Sequence, residues 1–360
     1  MLDRILLSRF RNHGDSRIEG AGKFNLLIGE NGAGKTNVLE AISLFAPGRG
    51  LRRASLDDLP TSGNIERGFA VSAELLVGDA AVRMGTGIAE GRPGRRIVQV
   101  NGAEAPAMRL AEWLSIGWLT PAMDRLFAES AGSRRRFLDR LVLAVAPGHA
   151  RNAARLESAL RERGRLLAEP SEPDAGWFDA IEAQIAETGA LVAQARAALI
   201  VRLGEALAEL PEAPFARPVL AYQPGGPMEQ VDLAQALART RRRDRAAQRT
   251  LTGPHRDELD VRMAGKGQAA AECSTGEQKA MLIAMTLAHA ALLDTDRPRL
   301  LLLDEVAAHL DPVRREALFA RLRDGAAQVW LTGTELAPFA AIAGEAAIWR
   351  VSDGAIERVI

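Results

Sequence analysis

The sequence predicts an α/β protein. A parallel-sheet domain is built from both ends of the chain, an antiparallel sheet is attached to it, and a helical domain is inserted between the two halves. Three observations carry this reading. Residues 29–36 read Gly29-Glu30-Asn31-Gly32-Ala33-Gly34-Lys35-Thr36, between an apolar run and a helical pattern. Residues 300–305 are a four-leucine run ending in Asp304 and Glu305. Between these segments, from 123 to 209, the apolar residues switch to helical spacing.

Residues 2–10 alternate apolar and polar positions and read as a first strand, followed by a turn around Asn12, His13, Gly14 and Asp15. Phe24–Ile28 is a short apolar strand that runs into the glycine-rich loop, and 36–44 is a helix. The alternating runs 70–76, 81–88 and 96–100, with Asn101-Gly102 as a tight-turn signal, read as a small antiparallel sheet. Helical spacing follows through Phe137, Leu138, Leu141 and Val142, then Leu156, Leu160 and Leu166. A polar, proline-bearing break at 169–174 separates this from a second helical run, 177–207. The pair reads as a helical hairpin arm, too short and irregular for a long coiled coil. One strand is expected at 219–222 and an arginine-rich helix after it, with the first domain resuming near Thr250. The divisions are thus 1–118, 119–245 for the inserted arm, and 246–360, with no internal repeat.

Composition sets bounds. A chain of 360 residues suggests roughly two domains, or one with an elaborate insertion. The 47% hydrophobic and 26% charged fractions are ordinary for a soluble protein with a sizeable core. The single cysteine, Cys273, excludes an intrachain disulfide and a cysteine-rich zinc site, and fits a reducing cytoplasm. The N-terminus has no stretch apolar enough for a signal sequence. The most apolar helical stretch, 280–293, is interrupted by Thr286 and His289 and falls short of the ~20 residues of a bilayer span. A soluble, cytoplasmic protein without a membrane partner is expected. The formal net charge is zero, which leaves room for a locally basic face. Arginine supplies nearly all the positive charge, so Lys35 inside the glycine-rich loop stands out.

In that loop the glycines let backbone N–H groups turn around phosphate oxygens. Lys35 then neutralises the β- and γ-phosphates of ATP, and the Thr36 hydroxyl ligates Mg²⁺. Asp304 is the second Mg²⁺ residue, and Glu305 polarises the attacking water. A third motif, Ser274-Thr275-Gly276-Glu277-Gln278, opens a helix 30 residues before Asp304. Alone it would be an ordinary N-cap; a hydroxyl and converging N–H groups also make an anion site. ATP-binding-cassette heads place their signature sequence there, and it holds the γ-phosphate bound by the opposing subunit. His309, Leu310 and Asp311 fall where such heads place the D-loop at the dimer seam. The fold class is therefore a P-loop ATPase head of that type, with an attached antiparallel sheet and an inserted helical-arm domain.

The chain resembles the RecF family of bacterial recombination-mediator ATPases. The opening Phe10-Arg11-Asn12, with Arg11 a candidate nucleotide contact, the loop GENGAGKTNVLEA, LTPAMDRLF (119–127) and RRRFLDR (134–140) carry the likeness. So do TLTGPHRDEL (250–259), STGEQK and LLLDEVAAHLD (301–311), in the same order over nearly the whole chain. The resemblance implies an ATP-dependent homodimer that binds DNA at gapped or single-strand/double-strand junctions. It further implies work with RecO and RecR in recombinase loading and the SOS response. Two departures stand out. Where cassette heads often carry a glutamine this chain has Ala122, and the segment 331–335 lacks a switch histidine. Both argue for slow, weak turnover rather than a motor. His255 is read as structural in preference to a site residue.

The arginine clusters Arg134-Arg135-Arg136 and Arg241-Arg242-Arg243 are candidates for DNA phosphates, or else solvated helix faces. With one tyrosine, no aromatic platform for stacked bases is evident. Two alternatives belong to other classes. A transporter nucleotide-binding subunit carries its signature much closer behind the phosphate loop than the 239 residues separating Lys35 from Ser274. An SMC-like structural ATPase needs a far longer heptad arm.

Overall fold

The structure, a computed structural model, describes residues 1–61, 68–92, 94–171, 174–211, 213–293 and 297–359. Two compact units result: 1–123 together with 286–360, and 124–285. The head opens with β1 (Leu2–Phe10), β2 (His13–Glu19), β3 (Phe24–Ile28) and α1 (Lys35–Ser43). Then come β4 (Phe69–Val77), β5 (Ala80–Ile88), β6 (Arg96–Val100), β7 (Ala103–Glu104), the short α2 (Leu110–Trp113) and β8 (Ser115–Leu119).

The antiparallel sheet is larger than the three strands expected. Its order is β2-β1-β4-β5-β6-β7, so the first strand of the chain belongs to it. The turn expected at 12–15 is tighter: Phe10 pairs with His13, and Gly14 and Asp15 already lie in β2. That strand reads as loop in sequence because only His13, Ser16 and Ile18 of its seven residues face inward. Asn101 and Gly102 turn β6 into β7 with positive φ, 51° and 81°, as an Asn-Gly hairpin requires.

The inserted unit holds α3 (Ala131–Val145), α4 (His149–Ala168), α5 (Ala175–Ala208), β9 (Pro218–Gln223), α6 (Gln230–Ala246) and β10 (Glu258–Met263). Ser130 and Asp174 cap α3 and α5, their side chains accepting from Ser133 N and Gly176 N. Within the break expected at 169–174, residues 172 and 173 lie outside the described residues. Leu156, Ile185, Val192, Leu233 and Leu237 form a core shared by α4, α5 and α6, so the unit exceeds a two-helix hairpin. Its boundary also differs from 119–245: β9 pairs antiparallel with β10, which carries residues up to 285 with it. Ser274 and Gly276 therefore lie in the inserted unit, not in the head.

A buried ion network fixes this unit. Arg163, fully buried, donates to Glu182 Oε1 (3.0 Å), Asp244 Oδ2 (2.8 Å), Thr250 Oγ1 (2.8 Å) and the Leu237 carbonyl (3.2 Å). Removing one member strands the others away from water, which costs about 3–5 kcal/mol. Arg163→Met should lower the unfolding free energy by that amount in a denaturant titration; an unchanged midpoint would mean the network contributes nothing net.

The chain then returns through α7 (Thr275–Leu292) to β11 (Arg299–Leu303), α8 (Pro312–Asp324), β12 (Gln328–Gly333), β13 (Ala346–Ser352) and β14 (Ala355–Arg358). The second sheet runs β14-β13-β3-β12-β11-β8, parallel except for β14. Its central strands are buried on both faces, which explains the uninterrupted leucines of β11. Val38, Leu39 and Ile42 of α1 join one hydrophobic cluster with residues of both sheets, including Trp330 and Trp349, whose rings stack at 5.7 Å. Among the described residues no helix is long and apolar enough to cross a membrane.

Candidate functional site

The strand order assembles the site. β12 lies between β3 and β11, so the ends of three adjacent parallel strands deliver the phosphate loop, Thr332 and the two carboxylates to one edge. Gly29 to Thr36 follow β3, and α1 begins at Lys35, its free N–H groups and positive dipole end directed at the loop. Gly34 sits at φ 114°, and a Cβ there would lie 2.7 Å from Asn12 Oδ1. A Cβ on Gly29 would lie 2.1 Å from the Val351 carbonyl oxygen, so no side chain fits at either position.

The loop is buttressed by the β1–β2 hairpin, whose Asn12 and His13 sequence reading assigned no role. Asn12 Nδ2 donates to the Ala33 carbonyl (3.0 Å), and Asn37 Nδ2 donates to Asn12 Oδ1 (2.7 Å). The buried His13 ring bridges the Gly34 carbonyl, 3.1 Å from Nε2, and the Gly354 carbonyl, 2.7 Å from Nδ1. Arg11 forks onto Glu40 (2.9 and 2.8 Å) and reaches the Asp58 carbonyl (2.8 Å). Its nitrogens are thus committed to α1, where the sequence reading had it contacting nucleotide. Arg52 meets Glu40 from the other side at 2.8 Å, so a fully buried carboxylate is held by two arginines.

Lys35 Nζ donates to the Gly29 and Glu30 carbonyls, both at 2.7 Å. Burial pushes its ammonium below the ordinary lysine value, opposed by Glu305 and Asp304. Asp304 Oδ1 accepts from Thr36 Oγ1 (2.9 Å) and from Thr332 Oγ1 (2.8 Å). Burial raises the Asp304 carboxyl above its usual range, Glu305 adds to that, and the two hydroxyls and Arg52 pull it down. The Glu305 N–H donates to the same Thr332 hydroxyl (2.9 Å), and Glu305 stands in the left-handed region at φ 52°. For a non-glycine residue that conformation is strained, and such strain clusters at working sites. One hydroxyl therefore ties the Asp304 carboxylate to the backbone N–H of Glu305. Thr332 ends the strand after which a switch histidine was sought; nothing in its local sequence marks it.

The residues present fit a magnesium ion. Thr36 and Asp304 offer two hard oxygen donors, which suits a cation that takes its other ligands from waters and phosphates. Ala122 is exposed in the segment after β8, the strand that pairs with β11, and offers no polar group there. Asp311 caps α8, its Oδ1 accepting from Arg314 N at 3.0 Å; the His309 side chain lies outside the described residues.

Ser274 and Glu277 form a capping box at the start of α7. Ser274 N and Oγ each donate to Glu277 Oε2 at 2.9 Å, and Glu277 N donates back to Ser274 Oγ at 3.3 Å. Lys266 Nζ lies 2.6 Å from the other Glu277 oxygen, and with the Ser274 donors holds that carboxyl down at about 2. Gly276 is open to added atoms, so the helix start is unobstructed.

Of the arginine candidates, Arg134 is paired with Glu258 through two 2.7 Å bonds, and Arg241 with Glu182 and Asp179. Arg135 is half-buried, while Arg136, Arg242 and Arg243 are exposed. His255 Nε2 lies 2.9 Å from the Thr250 carbonyl, a structural placement.

Residues 1–341 match the model of the RecF/RecN/SMC N-terminal domain. The chain is similar to the DNA replication and repair protein RecF of Mesorhizobium japonicum, at 46% identity over 99% of this chain and 97% of that one. It is 46% identical to that of Caulobacter vibrioides, over 98% and 96% of the two chains. Among solved structures, the recombination mediator protein RecF with ATP superposes with a TM-score of 0.86 at 21% identity, covering 100% of this chain and 97% of that one. An Smc head domain from Pyrococcus furiosus gives 0.54 at 16%, covering 99% and 95%.

Proposed function

The chain belongs to the RecF family of DNA replication and repair proteins, and from that membership we propose that it is an ATP-gated DNA clamp of recombinational repair. The observation that carries the reading is the Thr36–Asp304–Thr332–Glu305 linkage at the mouth of the phosphate loop. Lys35 neutralises the phosphates, and the N–H groups of the loop and of α1 bind them. Magnesium, held by Thr36 and Asp304, supplies charge neutralisation on the phosphate oxygens. Glu305 orients a water in line with the γ-phosphate and accepts its proton as the new P–O bond forms and the bond to ADP breaks.

The γ-phosphate held at Lys35 of one copy meets Ser274 and Gly276 of a second copy, with Asp311 at the seam. ATP thereby closes a homodimer, and slow, DNA-stimulated hydrolysis opens it. The bound polymer is gapped or junction DNA, contacted through arginines of the inserted unit. RecR and RecO are the partners that family membership suggests, in recombinase loading and SOS induction. The SMC-like structural alternative is disfavoured because among the described residues the longest helix, α5, has 34 residues.

DNA affinity should fall steeply with salt despite the zero net charge, since each phosphate contact releases counterions at a log–log slope of about −0.9. Anisotropy of labelled gapped DNA, in ATP and across a salt series, reads this. A flat response would exclude backbone contact and with it the clamp.

A further inference from the structure

The GPHRD segment, Gly253 to Asp257, is used by none of the ATP chemistry, yet the inserted unit is built around it. Gly253 has φ 126° and its N–H donates to the Gly225 carbonyl. The Pro254 carbonyl accepts from Arg196 Nη1 at 2.7 Å, and His255 is tied to Thr250. The buried Asp257 carboxylate receives Arg196 Nη1 (2.8 Å), Gly225 N (2.8 Å) and the hydroxyl of Tyr222. Arg196 in turn forks onto Asp139 at 2.8 Å. Four of the five residues are therefore locked inward. Arg256 alone is exposed, and among the described residues the one hydrogen bond of its side chain is Nη2 to the Thr250 carbonyl, at 3.3 Å.

Arg135 arrives at the same place from α3. Its Nη1 donates to the Asp257 carbonyl at 2.8 Å, which sets its guanidinium beside the peptide that joins Asp257 to Glu258, one residue beyond Arg256. Among the described residues neither Arg135 nor Arg256 has a carboxylate at ion-pair distance. The local acids are already taken: Asp257 by Arg196, and Glu258 by Arg134. Burial holds the Arg135 guanidinium below its ordinary value, and the neighbouring Arg196 and Arg256 add to this against Glu258 and Asp257. Two cations with unused N–H donors thus flank a rigid backbone segment, neither of them in an ion pair among the described residues.

We infer that Arg135 and Arg256 form a phosphate-binding pair that grips the DNA backbone. Planar guanidinium forks match two phosphate oxygens each and read no bases. A pair that holds phosphate oxygens and reads no base fits the backbone of a duplex, whatever its sequence. Arg134 and Arg241 take no part, because their charges are spent on internal carboxylates. The GPHRD segment then serves to present Arg256 at a fixed position. This assignment rests on the DNA-clamp reading above.

The test uses the full chain with ATP and two labelled duplexes of unrelated sequence, read by anisotropy across a salt series. Arg256→Gln, at an exposed position, should weaken both duplexes equally and flatten the log–log slope by about 1. Arg256→Gln with Arg135→Gln should flatten it by about 2, with ATP affinity and melting temperature unchanged. Wild-type slope and affinity in both variants would overturn the pair, as would a loss confined to one sequence. A loss that appears only together with lost ATP binding would also overturn it. Wild-type protein that binds neither duplex would instead sink the clamp reading, and this pair with it.

Discussion

Lys35→Met should abolish ATP binding at concentrations that saturate the wild type. In the structure the ammonium is buried and folded onto the Gly29 and Glu30 carbonyls, at the position where β- and γ-phosphate oxygens would replace them. Burial pushes the ammonium below the ordinary lysine value, and in so poorly solvated a place a counter-charge is worth most. Methionine fills a similar volume and removes at least two charge-assisted contacts of about 1.5–3 kcal/mol each. Affinity should therefore fall by about 10²-fold or more. Nucleotide titration calorimetry checks this, and a variant with wild-type affinity would remove the phosphate loop from the account.

Glu305→Gln should act on a different step. The substitution keeps shape and backbone, so the Thr332 bond to the residue 305 N–H and the Asp304 contacts persist. The carboxylate that receives the proton of water is gone. Single-turnover hydrolysis should fall by about 10² or more, the range for lost acid–base assistance, while ATP affinity is kept. Hydrolysis within a few-fold of wild type would mean that another group accepts that proton.

The parts of the site that were legible in sequence are those whose chemistry demands neighbouring residues. A backbone cradle needs its glycines in one loop, and a strand that delivers two carboxylates needs them in succession, so Gly29 to Thr36 and Asp304-Glu305 announced themselves. Thr332 did not, because its role comes from strand order: only with β12 between β3 and β11 does its hydroxyl reach the Asp304 carboxylate and the Glu305 N–H. The same holds for Asn12 and His13, which work from a polar strand that resembles a loop. Charge was the least readable feature. Arg134 and Arg241 looked like parts of open basic runs, yet their partners lie 124 and 59 residues away in sequence. The boundary near 245 failed for a similar reason, since the β9–β10 pairing and the Asp257 ion pairs bind the later segment into the inserted unit.

The central claim is that ATP joins Lys35 of one copy to Ser274 of another. Gel filtration in saturating ATP and Mg²⁺ tests it most directly, with Glu305→Gln and Ser274→Arg run side by side. In the first variant ATP binds and is not consumed, so the closed form should accumulate. In the second the phosphate loop is untouched and ATP should still bind, but a bulky cation replaces the serine that the proposal sets against the phosphate of the opposing copy. The account expects Glu305→Gln to elute as a persistent dimer and Ser274→Arg as an ATP-bound monomer. Both variants eluting alike would contradict it.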